Sequence, residues 1–400
     1  MGIRMGLLIL LLWACLGAPA RAAEPPGEGA EPAAADPQTA AQLQLELADT
    51  HQLEQFLQEV NRTWEGYGPE ISLKDFMEVY SGGGEGKYSV TAILGGLLRY
   101  LVREVVANAG LLGQLVVLAI VAALLQHMQN AFASDATGKL AQTVVYLALV
   151  GIAVTGFGLA VTTAQQVMER LSGFMLAMLP TLLAVLAGMG GVTSAAIFHP
   201  LMITLTSTAS TIMVTIVFPL IFLSAMLDIV SGLHEHLKLT SLADLLRQGA
   251  LYTLSLMFTL FLGIVSIKGF VGAVSDGLTL KTAKFAISNF VPVVGKMFSD
   301  ASELIFGSTI LLKNGLGLVG AAAVFFITAF PLLKILSLVW VYQLAGAVVQ
   351  PVGADQIGKM LNTMAKSLQL IFASVAVVAL MFFLGITVIV GAGNLTVMVR

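Results

Sequence analysis

Charge is what this chain has least of. Only 11% of its 400 residues are Asp, Glu, Lys or Arg, against roughly 25% in a soluble domain. Meanwhile 57% are hydrophobic and the mean hydropathy is +0.91. So few charges cannot keep most of the chain in water, which excludes an ordinary soluble domain. The net charge of −3 supplies no basic surface, which excludes nucleic acid as a partner. Cysteine is nearly absent too. The one example, Cys15, falls inside an N-terminal export segment, so the mature chain is expected to lack thiols. That removes disulfides, cysteine-based zinc sites and cysteine nucleophiles together. Other chemistry is equally thin. Ser81–Tyr88 is glycine-rich but fails as a phosphate loop, because Ser81 stands where Gly is needed and Tyr88 where Ser or Thr should follow Lys87. His234 and His236 are two residues apart, a spacing that diverges on a helix, and no further ligands cluster nearby. No catalytic, cofactor-binding or metal-binding residue is expected, and the protein is read as non-enzymatic.

What remains reads as membrane hardware. Residues 1–23 have the pattern of a signal peptide, with Arg4, the apolar run Leu7–Leu12 and small residues at Ala18, Ala20 and Ala22; the alternative is an uncleaved anchor. Residues 24–40 form a Pro/Ala/Glu tether with little to bury. Residues 41–91 are a small exported helical segment, too short for a sizeable core of its own. Residues 92–170 hold an amphipathic helix around Leu94–Asn108 and two apolar runs, Gly110–Gln126 and Leu140–Thr162, each near the ~20 residues of a span. Further apolar runs are Leu171–Gly190, Ala250–Ala273 and Leu368–Ala392.

Residues 171–283 and 284–400 read as two copies of one transmembrane unit. Pro180 and Pro292, and Pro219 and Pro331, are each separated by 112 residues, and Phe218-Pro219-Leu220 recurs as Phe330-Pro331-Leu332. A duplicated hydrophobic unit interrupted at matching prolines is a common transporter and channel design. Two repeat partners, Pro200–Val230 and Gly315–Val349, are awkward. Each exceeds 40 Å as a straight helix at ~1.5 Å per residue, against a hydrocarbon core of ~30 Å, yet is short for two spans and a turn. The fold class is therefore an all-α polytopic membrane protein with two internal repeats of broken transmembrane helices and a short exported N-terminal segment. The four prolines are the expected breaks. If each awkward segment crosses once the halves are inverted; if each is a hairpin they are parallel.

Charges inside the apolar part are informative, because one at mid-bilayer costs about 2.5–3.5 kcal/mol. Asp228 and Lys334 either pair across the repeat interface or sit near span ends and reach the headgroups. Lys296, Asp300 and Glu303 share one helix face, suited to lining an aqueous lumen or facing partner proteins at the interface.

Several strings together are those of a known family. Leu125-Gln126-His127-Met128-Gln129-Asn130-Ala131-Phe132, Gly190–Pro200, Asp276–Glu303, Phe330–Leu338 and Gly391–Arg400 closely resemble the stage III sporulation protein AE family of endospore-forming bacteria. The likeness runs from about Leu43 to the C-terminus. It implies a polytopic protein made in the mother cell and placed in the membrane around the engulfed forespore, with its N-terminal segment in the intermembrane space. It also implies partnership with the other stage III A proteins and the forespore Q protein in a transenvelope channel, likened to a secretion apparatus. No catalytic residue of the family is carried over. The expected function is an integral membrane, oligomeric subunit of that channel; the rivals are a stand-alone secondary permease and a non-conducting scaffold.

Overall fold

The structure, a computed structural model, describes residues 90–131, 136–233, 239–290 and 294–399, with short pieces between 54 and 62. The signal segment, the tether and most of 41–89 lie outside the described residues. All described elements are helical. They are α1 (Val90–Ala107), α2 (Ala109–Ala131), α3 (Ala136–Gly188), α4 (Val192–Ile212), a π-turn (Met213–Val217), α5 (Phe218–Leu233), α6 (Thr240–Phe290), α7 (Val294–Val349) and α8 (Asp355–Val399).

Five stretches are long and apolar enough to cross a membrane: Thr143–Gly188, Val192–Gly232, Thr240–Thr279, Leu312–Val352 and Gln356–Gly393. The pair α1 and α2, bent by 42° at Asn108, makes a sixth if it acts as one broken span. Asn108 holds that bend by donating to the Glu104 carbonyl at 2.8 Å and to Ser337 Oγ of α7 at 3.2 Å. On α1, Leu94, Leu98, Val102 and Val106 point outward at four-residue spacing, an apolar face for lipid. Leu57, from the N-terminal segment, is buried in the common core.

Contacts fix the directions of the five crossings. At one end the Tyr146 hydroxyl reaches the Ile229 carbonyl, Arg247 pairs with Asp228, and Gln356 donates to the Gly232 carbonyl. At the other, Leu186 packs on Gly191, Asp276 meets Thr193, and Lys313 lies against Gly393. Successive crossings therefore alternate in direction, and each awkward segment crosses once, Pro200–Val230 inside Val192–Gly232 and Gly315–Val349 inside Leu312–Val352. Leu140–Thr162 and Leu171–Gly190 are joined in the single helix α3.

Among the described residues, Pro180, Pro219 and Pro331 do not break their helices. Pro180 and Pro331 lie inside the uninterrupted α3 and α7. Pro219 follows the π-turn, where the Phe218 N–H donates to the Met213 carbonyl five residues back. The wide turn absorbs one residue and re-pairs the backbone just ahead of the proline, as a membrane helix must. Near Pro331 the Thr328 hydroxyl donates to the Val324 and Phe325 carbonyls. Pro292 lies outside the described residues. The proline-matched halves thus have different local structure at Pro219 and Pro331: a π-turn on one side, plain α-helix on the other.

Two glycines are required by backbone conformation. Gly190, in the turn between α3 and α4, and Gly353, between α7 and α8, both have φ of 85°. A Cβ at Gly353 would also lie 2.9 Å from His127 Nε2, the atom that meets the Val352 carbonyl at 3.0 Å. Gly353→Ala should therefore cost at least the ~1–2 kcal/mol of a left-handed backbone and push His127 off Val352. Unfolding followed by circular dichroism in mixed SDS micelles checks this; an unchanged midpoint would contradict it.

Candidate functional site

The helices are 38–46 residues long over their apolar stretches, so at ~1.5 Å per residue each is about twice the ~30 Å hydrocarbon core. Polar side chains placed along them therefore mark where water or protein replaces lipid. Two clusters occupy the two ends of the bundle.

The first is centred on Arg247 of α6. Its Nη2 meets Asp228 Oδ2 of α5 at 2.5 Å and its Nη1 meets Asp244 Oδ1 at 2.6 Å. The inner pair is mostly shielded, with side chains 24% and 12% exposed, whereas Asp244 is 60% exposed. Asp228 sits four residues before the end of its crossing, and the hairpin between α5 and α6 brings Arg247 to it. The carboxylate considered as a partner for Lys334 is thus engaged by Arg247. Lys334 instead lies in the middle of the α7 crossing, half-buried, with its own carbonyl accepting from Ser337. Sequence alone missed Arg247 because its pairing depends on the α5–α6 hairpin.

The second cluster lies at the opposite end. Asp276 of α6, 1% exposed, accepts from the Thr193 and Ser194 backbone N–H groups of α4, both at 2.8 Å. The first N–H groups of a helix have no partner within it and carry the positive end of its dipole. Gly191 supplies no side-chain cap, so the carboxylate of a different helix does. Gly272 permits the approach, since a Cβ there would lie 2.8 Å from Ser194 Oγ and 3.2 Å from Ser194 Cα. Nearby is Lys313 of α7, 1% exposed. Gly393 of α8 makes space for it: a Cβ would fall 2.9 Å from Lys313 Nζ and 3.0 Å from its Cδ. Asp276, three residues past the apolar run Ala250–Ala273, is a visible signal in sequence, but its target is not.

Between the ends, the helices close on one another through small residues. The Tyr342 hydroxyl of α7 donates to the Ala153 carbonyl of α3 at 2.5 Å, over Gly156. Gly317 faces Val390, and Gly320 faces Met178 and Ile386. Small residues that let helix backbones approach are the usual substitute for a hydrophobic driving force in lipid.

Lys296, Asp300 and Glu303 fall in the first turns of α7, but their side chains lie outside the described residues. Among the described residues, no three His, Asp or Glu side chains converge on a possible metal position.

Long apolar helices alternating in direction, with the inner ion pair and the buried cap at their ends, define a multi-pass α-helical membrane protein. The chain belongs to the stage III sporulation protein AE family, whose profile matches residues 71–393. Stage III sporulation protein AE of Bacillus subtilis (strain 168) is 42% identical over 366 residues, covering 91% of either chain. No solved structure matches. Both end clusters lie within the matched region. The buried cap also joins two strings that carry the resemblance, because Asp276 opens one and Thr193 and Ser194 lie in the other.

Proposed function

We propose that this protein is a non-enzymatic, membrane-embedded subunit of the mother-cell-to-forespore transenvelope channel. In this reading it lies in the outer forespore membrane, its N-terminal segment faces the intermembrane space, and its partners are the other stage III A proteins and the forespore Q protein. It works as part of an oligomeric assembly.

The supporting observation is the filled axis of the bundle. Helix α8 packs against α3, α4, α5, α6 and α7. Leu361, Leu368, Val375, Phe382 and Ile389, at seven-residue spacing, are each at most 1% exposed. A self-sufficient permease holds its substrate on polar groups near the middle of broken helices. Here Pro180, Pro219 and Pro331 sit in or beside continuous helix, and the stripe of α8 that faces the bundle at seven-residue spacing is apolar. Passage through such a protein runs between chains, which favours the subunit over the stand-alone permease.

Reconstitution tests this. Purified protein alone in liposomes should give no saturable solute uptake, while the same gene should restore spore formation to a strain lacking its own family member. Saturable uptake by the isolated protein would overturn the subunit reading.

A further inference from the structure

Three contacts fix how the bent pair α1–α2 lies against α7. Tyr100 meets Phe330 edge-on with ring centroids 4.8 Å apart. Asn108 donates to Ser337 Oγ at 3.2 Å, and His127 Nε2 meets the Val352 carbonyl at 3.0 Å. Residue numbers rise together on both sides, so α1–α2 runs parallel to α7, advancing from the middle of its crossing to the end. The bend at Asn108 is therefore a break within one crossing.

The first two contacts also set Glu104 opposite Lys334. On α1, Tyr100, Glu104 and Asn108 recur at four-residue spacing and share one face. That face continues from Ile93 and Leu97, which pack on the core, while Leu98, Val102 and Val106 point outward. The other charges of α1, Arg99 and Arg103, are exposed and lie off this face. On α7, Phe330, Lys334 and Ser337 are four and three residues apart and share a face in the same way. Glu104 stands midway between Tyr100 and Asn108, and Lys334 about midway between Phe330 and Ser337. Parallel helices that touch on both sides of this level bring the carboxylate and the ammonium to one place.

Both side chains are half-buried, near the middle of the Leu312–Val352 crossing. Among the described residues neither charged group has a direct hydrogen-bond or ion-pair partner. Ionisable side chains inside membrane helices pair with one another or meet water. Asn108 makes this place polar. Its amide N–H groups are spent on the Glu104 carbonyl and on Ser337, and its amide oxygen remains an acceptor. A water between the two charges has three polar partners here, the usual number for a buried water.

We propose that Glu104 and Lys334 are each other's counter-charge, joined through water at the Asn108 break, and that this hydrated pair seats α1–α2 on α7 as a sixth crossing. The pair concerns how the span is held, so it stands whether or not the subunit conducts.

The test uses full-length protein carrying Cys15→Ser, in membranes. Glu104→Cys with Lys334→Cys should be joined by a short bifunctional thiol reagent, and Val102→Cys with Lys334→Cys should not. A protease site placed between residues 234 and 238 parts the two positions, so a cross-linked chain stays one band after cleavage. Glu104→Gln or Lys334→Met alone strands the opposite charge and should raise the unfolding constant in SDS on the order of tenfold. Glu104→Gln combined with Lys334→Met should unfold no more readily than either single. Single effects that multiply in the double variant, or no cross-link between positions 104 and 334, would overturn the proposal. If the single variants do not accumulate, the exchange Glu104→Lys with Lys334→Glu decides. It should restore accumulation, and failure to do so overturns the pair. Glu104→Cys alone should react with a small membrane-impermeant thiol reagent, because the reactive thiolate forms where water solvates it; an inert thiol there would overturn the water bridge.

Discussion

Asp276→Ala should destabilise the bundle by about 3 kcal/mol, since charge-assisted hydrogen bonds contribute roughly 1.5–3 kcal/mol each and the freed N–H groups stay at least partly buried. Asp276 accepts from both Thr193 and Ser194 at 2.8 Å, with Ser194 fully buried. The cap also sits on the positive end of a helix dipole, which adds up to ~2 kcal/mol in partly buried geometries. Asp276→Asn keeps one acceptor but turns an amide N–H₂ toward a backbone N–H, so it should recover less than half of the loss. Unfolding of the detergent-solubilised protein in SDS, followed by circular dichroism, measures both. A loss below ~1 kcal/mol for the alanine variant would mean that water caps α4 equally well, contrary to this geometry. Gly272→Val should mimic the lesion from the other side, because its side chain would strike the Ser194 backbone.

Arg247→Ala should cost about 2–3 kcal/mol, below the ~3–5 of a fully buried broken pair because Arg247 and Asp228 retain some solvent contact. The loss arises mainly from stranding Asp228, which is 12% exposed and accepts from the Arg247 guanidinium at the end of its crossing. Arg247→Ala combined with Asp228→Asn should therefore be less damaging than the sum of the two singles, a coupling that a double-mutant cycle reads directly. Asp244→Asn should cost under ~0.5 kcal/mol, since that carboxylate is largely solvated. Lys334→Gln should show no coupling to Asp228→Asn. Additive losses for Asp228 and Arg247, or coupling between Asp228 and Lys334, would overturn this assignment.

Residues near both ends of the chain's apolar part show how far sequence reasoning reaches. The apolar runs around Ala250–Ala273 and Leu368–Ala392 were legible, because hydrophobic length alone commits a segment to lipid. The family was legible from strings such as Gly190–Pro200 and Asp276–Glu303. The prolines misled. Proline removes one donor from a helix, which reads in sequence as a break, yet the π-turn at Met213–Val217 re-pairs the backbone ahead of Pro219, and α3 and α7 run on through Pro180 and Pro331. The polar mid-section of α3 was equally misleading. Leu140–Thr162 and Leu171–Gly190 read as two separate apolar runs, whereas the structure carries one helix through both.

By itself the sequence determined that this chain dissolves in a membrane, forms helices there and belongs to its family, because composition and contiguous strings are properties of neighbours along the chain. Tertiary structure decided which charges meet, Asp228 with Arg247 and Asp276 with the start of α4. Those depend on the direction and rotation of packed helices, and a side chain's partner across a bundle leaves no mark on the residues beside it.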